Sequence, residues 1–472
     1  MTPPLDTASP SSRHAEAEPD ILASMREDLT DWRQWMARAV VLLYAVLAGL
    51  AVVLFTWVSD GAIDGFDHLR RWSPWAPLVW TPCCTALLVW LTRRFAPGAA
   101  GSGIPQVMAA LAPQVTPEHR GLFVSLRLSA EKLLLVSGGL LGGLAIGREG
   151  PSVQIAAGVM QHAQRWLPQR SPLHHDGLLV AGGAAGIAAA FNAPLAGVMF
   201  AIEEMTRKIE QRTSGLLIAA IVLAGLVAVS VFGNASYFGR LRVEPLTWAH
   251  LWPGLLTAVA CGLMGGVFSR LLQRSLLGGQ DRFSRWRARY PVRFAFACGL
   301  VIAVMGWVSH GATDGSGYSY TRRLVEGELD LPVLYVTLRI VATWLAVWSG
   351  VPGGIFAPSL AIGAGIGSDI AQLAGPDQGA AVMIAIGMTA FLAAVTQAPI
   401  TAFIIVMEMV DGHAMVLSLM AAALLASLMS RWISVPIYHR LAQAQLRRLP
   451  DQPAPTPGAA ATSASSSATN AS

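Results

Sequence analysis

Apolar residues run through this chain in long blocks. Four of the blocks, 177–202, 213–239, 340–368 and 378–407, contain no Asp, Glu, Lys or Arg. Each is longer than the roughly 20 residues a helix needs to cross a bilayer. The pattern predicts an all-α protein with many membrane spans, and no convincing two-residue alternation marks a β-strand. The same blocks are rich in Gly and Pro, which interrupt helices. Several of them are therefore expected to hold broken or re-entrant helices.

The ends of the chain read differently. Residues 1–32 are polar and mixed in charge, which predicts an N-terminal cytoplasmic arm. Residues 442–472 finish in an Ala/Ser/Thr/Pro string from 449 onward that cannot build a core, so this tail is expected to be disordered. That reading leaves no room for a C-terminal regulatory domain.

The apolar region divides into two halves, 33–240 and 241–441, linked by an internal repeat. Gly182 to Gly186, Phe191-Asn192-Ala193-Pro194 and Glu203 recur as Gly387 to Phe391, Thr396-Gln397-Ala398-Pro399 and Glu408. Both Pro194 to Pro399 and Glu203 to Glu408 span 205 residues. Gly147-Arg148-Glu149-Gly150-Pro151-Ser152 has a sister in Gly354-Ile355-Phe356-Ala357-Pro358-Ser359, with prolines 207 apart. Gly101-Ser102-Gly103 matches Gly315-Ser316-Gly317 more weakly. Paired halves with broken helices at their interface are a transporter pattern. Spacing alone leaves open whether the halves are parallel or inverted.

Composition supports the membrane reading: 54% of residues are hydrophobic and 13% charged, against roughly 25% charged in soluble domains. The net charge of +5 is concentrated. Arg282, Arg285, Arg287, Arg289 and Arg293 form one cluster, Arg207, Lys208 and Arg212 another, and Arg440, Arg447 and Arg448 follow the last apolar block. The positive-inside rule places these segments, and the N-terminal arm with Arg26, Arg33 and Arg38, in the cytoplasm. The basic clusters thus report topology, not nucleic-acid binding. The first apolar run starts near Ala39, too late for a cleavable signal peptide. Cys83, Cys84, Cys261 and Cys298 lack metal-ligand spacing and read as small buried packing residues. The adjacent His174 and His175 read as a solvated loop pair. No metal or cofactor is expected.

The candidate chemistry lies in the helix-start strings. Glu149 is an ionisable group inside an apolar region, and such a group marks function by default. Gly147 and Gly150 let backbone amides approach an ion, and Pro151 suits a first helical turn. Amides at a helix start have no intrahelical partner, and the macrodipole there favours negative charge. The site accepts either an anion or the Glu149 carboxylate, and protonating Glu149 removes its claim. The sister string offers the same amides without a carboxylate. Gly101-Ser102-Gly103-Ile104-Pro105 adds a third turn with a hydroxyl donor. Together these suggest a cage of neutral donors for a mobile monovalent anion.

In this order, GSGIP (101–105), GREGP (147–151), GAAGIAAAFNAPLAG (183–197), Glu203-Glu204, GGIFAP (353–358) and the Pro-x-Tyr of 436–438 resemble the CLC family of chloride channels and chloride/proton exchangers. The resemblance implies two inverted halves around the anion and a homodimer in which each subunit has its own pathway. It implies a central chloride held by the Ser102 and Tyr438 hydroxyls and the amides of Ile355 and Phe356. The backbone of Arg148 and Gly150 would face an outer anion site, with Glu149 as the gate. Glu204 falls where family exchangers carry an inner proton acceptor. Read without the family, Glu203 and Glu204 are helix-end acids balancing Arg207 and Lys208. Lys132 matches a basic residue beneath the anion path; on its own it reads as a lysine snorkelling to the interface. Gln106 stands where many relatives have Glu, which alters local polarity.

The expected function is chloride/proton exchange in an inner (plasma) membrane, with chloride and protons as cargo and the lipid bilayer as surroundings. The alternative is a passive chloride channel gated by voltage or pH. An intramembrane hydrolase is disfavoured, because no motif serine has a plausible histidine partner.

Overall fold

The structure is a computed structural model that describes residues 32–168, 175–205, 211–233, 248–327, 332, 334–375, 379–410, 412–447 and 449. Among these, the first half contributes α1 (Trp32–Trp72), α2 (Pro77–Phe95), α3 (Ile104–Ala110), α4 (Leu126–Leu141), α5 (Glu149–His162), α6 (His175–Ala190), α7 (Pro194–Phe200) and α8 (Gln211–Phe232). The second contributes α9 (Leu251–Leu277), α10 (Arg282–Arg289), α11 (Pro291–Val308), α12 (Tyr318–Val325), α13 (Tyr335–Ser349), α14 (Phe356–Ala374), α15 (Ala380–Thr396), α16 (Pro399–Met409), α17 (Val416–Ile433) and α18 (Ile437–Leu446).

Helix surfaces are sorted by size more than by polarity. On α1 the small or branched Val41, Ala45, Ala48 and Val52 are buried, while Leu43, Leu47, Leu50 and Leu54 are exposed at helical spacing. An exposed leucine stripe on a long apolar helix is suited to lipid, not water. Among the described residues, five segments, within α1, α8, α9 and α11 and from His413 to Ile433, are long and apolar enough to span a membrane.

Three of the four charge-free blocks are broken, as their Gly and Pro content predicts. In the first, α6 stops at Ala190 and α7 starts at Pro194, with Asn192 in the left-handed region at φ 55°. The 378–407 block repeats the device: α15 stops at Thr396, Gln397 has φ 62° and α16 starts at Pro399. Proline disfavours helical geometry in the residue before it, and its missing N–H costs nothing in a first turn. The 340–368 block breaks at 350–355, between α13 and α14. By contrast, 213–239 holds one continuous helix, α8.

The repeat governs the architecture. Helices starting at 149, 175, 194 and 211 have counterparts starting at 356, 380, 399 and 416, offsets of 207, 205, 205 and 205. Packing repeats as well: α5 lies on α6 and α14 on α15, while α8 covers α6 and α17 covers α15. The halves are inverted and meet where α7 packs on α16 and where the 147 and 354 strings touch.

Two expectations change. Cys261 and Cys298 are buried, but Cys83 is exposed and Cys84 only half-buried, because they sit on the outer side of α2. His175 is the first residue of α6 and not part of a loop. The expected arm before residue 32, most of the expected tail, His174, Arg207 and Lys208 lie outside the described residues, while 442–446, expected in the tail, complete α18.

Candidate ion pathway

The two sister strings meet through their backbones. Gly147 N–H donates to Gly354 O at 2.8 Å, and Gly354 N–H donates to Gly147 O at 2.7 Å. Glycine at both positions suits this approach. A Cβ on Gly354 would lie 3.0 Å from Gly150 N, and one on Gly147 would lie 2.5 Å from Glu149 Oε2. The bridge brings the starts of α5 and α14 together, so their partnerless amides and positive dipole ends converge.

Glu149 sits at this convergence with no exposed surface. Its Oε2 accepts from Ala357 N–H at 3.4 Å, in the first turn of α14, while Oε1 has no hydrogen-bond partner. The carboxylate of one half is therefore lodged at the helix start of the other. Arg148 turns away, as its position on the helix predicts. Its guanidinium donates to the Asp60 carboxylate and to Thr56 O, both on α1.

The loop before α3 approaches from another side. Gly353 N–H donates to Gly101 O at 3.2 Å, which ties this loop to the sister string. Lys132 is fully buried, and its ammonium donates to Ala99 O at 2.7 Å and Gly101 O at 2.5 Å. It therefore does not snorkel; it braces the loop that carries Ser102. Gln106 pins the same loop, since its Oε1 accepts from Gly103 N–H at 3.0 Å and its Nε2 donates to Ala100 O. An ionised Glu at 106 would lack that second donor.

Tyr438 enters from α18 and stacks on Phe356, with ring centroids 6.1 Å apart and planes 17° apart. The Ser102 and Tyr438 hydroxyls lie near each other, both buried. Neither meets full hydrogen-bond geometry with the protein. They border a cavity of about 500 Å³ whose lining also includes Ile355, Gln106, Arg93 and Arg287. A second cavity of about 480 Å³ is bordered by Arg148, Asp60, Asn192 and Asp314. The two linings share no residue.

Glu204 lies on a π-turn, Ala201–Met205, that continues α7. Such turns recur at functional sites. The side chain is half-buried, and both Glu204 and Glu149 lie within electrostatic reach of the Tyr438 hydroxyl. Glu203 is not a loose surface acid: its carboxylate accepts from Ile400 and Thr401 N–H at the start of α16. The structure thus gathers Ser102, Glu149, Gly150, Ile355, Phe356 and Tyr438 in one place, with Lys132 beneath and Glu204 off one side.

Sequence reading missed Arg339, which is fully buried on α13. It donates to Thr313 O at 2.8 Å, Asp314 O at 3.3 Å and Gly315 O at 2.8 Å, bracing the loop before α12. It is the counterpart of Lys132, 207 residues on, and that offset was the available signal. Asp60, the partner of Arg148, carried no such signal.

This fold, with inverted halves, broken helices and opposed helix starts around a buried carboxylate, defines a polytopic helical transport protein. The sequence profile of the voltage gated chloride channel family matches residues 84–431. The H(+)/Cl(-) exchange transporter ClcA of Cronobacter sakazakii is 33% identical over 421 residues, covering 84% of this chain and 87% of that protein. ClcA of Klebsiella pneumoniae is 30% identical over 434 residues, covering 87% and 89%. A solved slow cyanobacterial Cl−/H+ antiporter superposes with TM-score 0.75 at 27% identity, over 88% of this chain and 98% of that one. A eukaryotic CLC transporter shares the fold at 21% identity and TM-score 0.71, over 87% and 74% of the two chains. The chain belongs to the voltage-gated chloride channel (CLC) family.

Proposed function

We propose that this protein exchanges chloride for protons across a membrane, with Glu149 as the gate. The observation that carries the reading is the Glu149 carboxylate at the start of α14, against Ala357 N–H. A chloride drawn to the same amides competes with it directly. Protonation cancels the charge that holds the carboxylate there, so the anion enters and the side chain leaves with its proton. Return of the ionised side chain expels the anion. Chloride and proton movements are thereby coupled through one site.

The central chloride is held by the Ser102 and Tyr438 hydroxyls and the amides of Ile355 and Phe356. The backbone of Arg148 and Gly150 faces an outer anion site. Two buried hydroxyls without a good protein acceptor support this assignment, because buried polar groups normally find partners. Glu204 is the inner proton acceptor, a role supported by its half-buried place beyond Tyr438. Lys132 and Glu203 support the pathway by holding backbone. The names of the bacterial relatives favour exchange over a passive channel. Family members are transporters, and no enzymatic reaction is proposed.

The surrounding features belong to the same reading. The membrane halves are 33–240 and 241–441, the membrane is the inner (plasma) membrane, both termini are cytoplasmic, and the protein is a homodimer with one pathway per subunit. Purified protein in chloride-loaded vesicles tests the function. A steep chloride gradient is expected to drive protons thermodynamically uphill; chloride flux without proton movement would make the protein a passive channel.

A further inference from the structure

Two carboxylates clasp the short helices at the contact between the halves. Glu203 accepts from Ile400 N–H at 3.0 Å and Thr401 N–H at 2.6 Å, at the start of α16. Glu408 accepts from Leu195 N–H at 3.2 Å and Ala196 N–H at 2.8 Å, at the start of α7. Each acid lies nine residues after the proline that opens its own helix, 194 to 203 and 399 to 408. Each helix therefore begins on the acid at the far end of the other, and four hydrogen bonds close the pair.

The two copies differ just past the clasp. On the first half the chain winds into the π-turn Ala201–Met205, whereas α16 stays α-helical through Met409. The next residue is Glu204 on the first half and the apolar Met409 on the second. Only one side of a symmetric device thus carries an additional acid.

We infer that Glu408 is a positioning residue for the proton branch: by holding the start of α7, it sets where the π-turn presents Glu204. The inference rests on the proton role proposed for Glu204. Amides at a helix start have no partner within the helix, so losing the carboxylate leaves the Leu195 and Ala196 N–H groups without their protein acceptor. Hydrogen bonds to a carboxylate are among the stronger ones. The body of α7 is about 10 Å long at 1.5 Å per residue, so a shift at its start reaches the π-turn directly. Glu203 cannot replace this hold, because it fixes α16 and not the start of α7.

The test measures chloride and proton fluxes separately in vesicles for Glu408→Ala, Glu408→Gln and Glu204→Gln. In Glu408→Ala, proton flux is expected to fall at least about tenfold, the least that one of the two charge-assisted hydrogen bonds lost is worth, with chloride flux unchanged. Glu408→Gln keeps one carbonyl acceptor and is expected to fall between wild type and Glu408→Ala. Because it is isosteric, it carries the test if the alanine variant does not fold. A parallel loss of both fluxes, or no change in their ratio, overturns the inference and leaves Glu408 a purely structural cap. If Glu204→Gln uncouples and the Glu408 variants do not, the positioning role alone is wrong. If Glu204→Gln stays coupled, the proton role of Glu204 falls and the inference falls with it.

Discussion

Replacing Gly354 with alanine adds one methyl group at the contact of the two helix starts. The new Cβ would lie 3.0 Å from Gly150 N and 3.1 Å from both Gly147 O and Pro151 Cδ. Two of these are backbone atoms and the third is a proline ring, so none can rotate aside. Gly354 is not in the left-handed region, so the cost comes from contact and not from backbone strain. Overpacking a tight site costs about 1–3 kcal/mol. Weakening the two Gly147–Gly354 hydrogen bonds adds roughly 0.5–1.5 kcal/mol each. The expected total is about 2–6 kcal/mol. Thermal unfolding in detergent should show a midpoint lower by several degrees, and vesicle assays should show reduced chloride flux as the two sets of amides separate. Gly61→Ala is the matched control. It lies inside α1 with no atom within 4 Å of its added Cβ, and alanine there is expected to be neutral or stabilising. A Gly354→Ala protein with wild-type midpoint and flux would refute the backbone contact as the organiser of the site.

Glu149→Ala removes the group that competes for the α14 amides; chloride should still pass while proton coupling disappears, and coupled proton uptake in vesicles would show that the gate lies elsewhere. Glu204→Gln keeps the shape of the π-turn side chain but cannot ionise, so proton transport should fail with chloride transport retained; unchanged coupling would return Glu204 to a helix-end acid. Asp314 lies in the loop between α11 and α12, where burial raises its carboxyl from 3.8 to about 6 while Arg70 and Arg339 pull it down. Its folded value is above its unfolded value, so the folded chain keeps a proton that the unfolded chain releases, and stability from this group is lost as pH rises from about 4 to 6. Asp314→Asn mimics the neutral form and should raise the unfolding free energy at pH ~8 by up to roughly 3 kcal/mol, seen as a higher midpoint, and match wild type near pH ~4. A destabilised variant at the higher pH would mean that the ion pair with Arg70, at 3.3 Å, outweighs desolvation.

The helix breaks were legible in the sequence because their causes are local. Pro194 and Pro399 begin helices whatever lies around them, and the residue before each is pushed out of helical geometry. The chemistry of 147–152 and 354–359 was legible for the same reason, since Gly, Pro and Glu at a helix start have known uses. Lys132 stands out in the sequence, but its two explanations, snorkelling to the interface or lying beneath the anion path, are separated only by burial. Burial depends on the α1 and α5 surfaces packed against α4. Arg339 went unnoticed because a lone arginine at the edge of an apolar block looks like a membrane-end residue.

By itself, the sequence determined that this is a duplicated helical membrane protein with two matched helix-start strings, only one of which holds a carboxylate. Those properties follow from residue types and spacing along the chain. The tertiary structure alone decided that the strings face each other through Gly147 and Gly354, that Glu149 reaches across to Ala357, and that Glu203 and Glu408 each cap the other's helix. These pairings join residues about 200 positions apart. A helix start needs an acceptor or an anion wherever it lies, but only the inverted packing of the two halves chooses which one it meets.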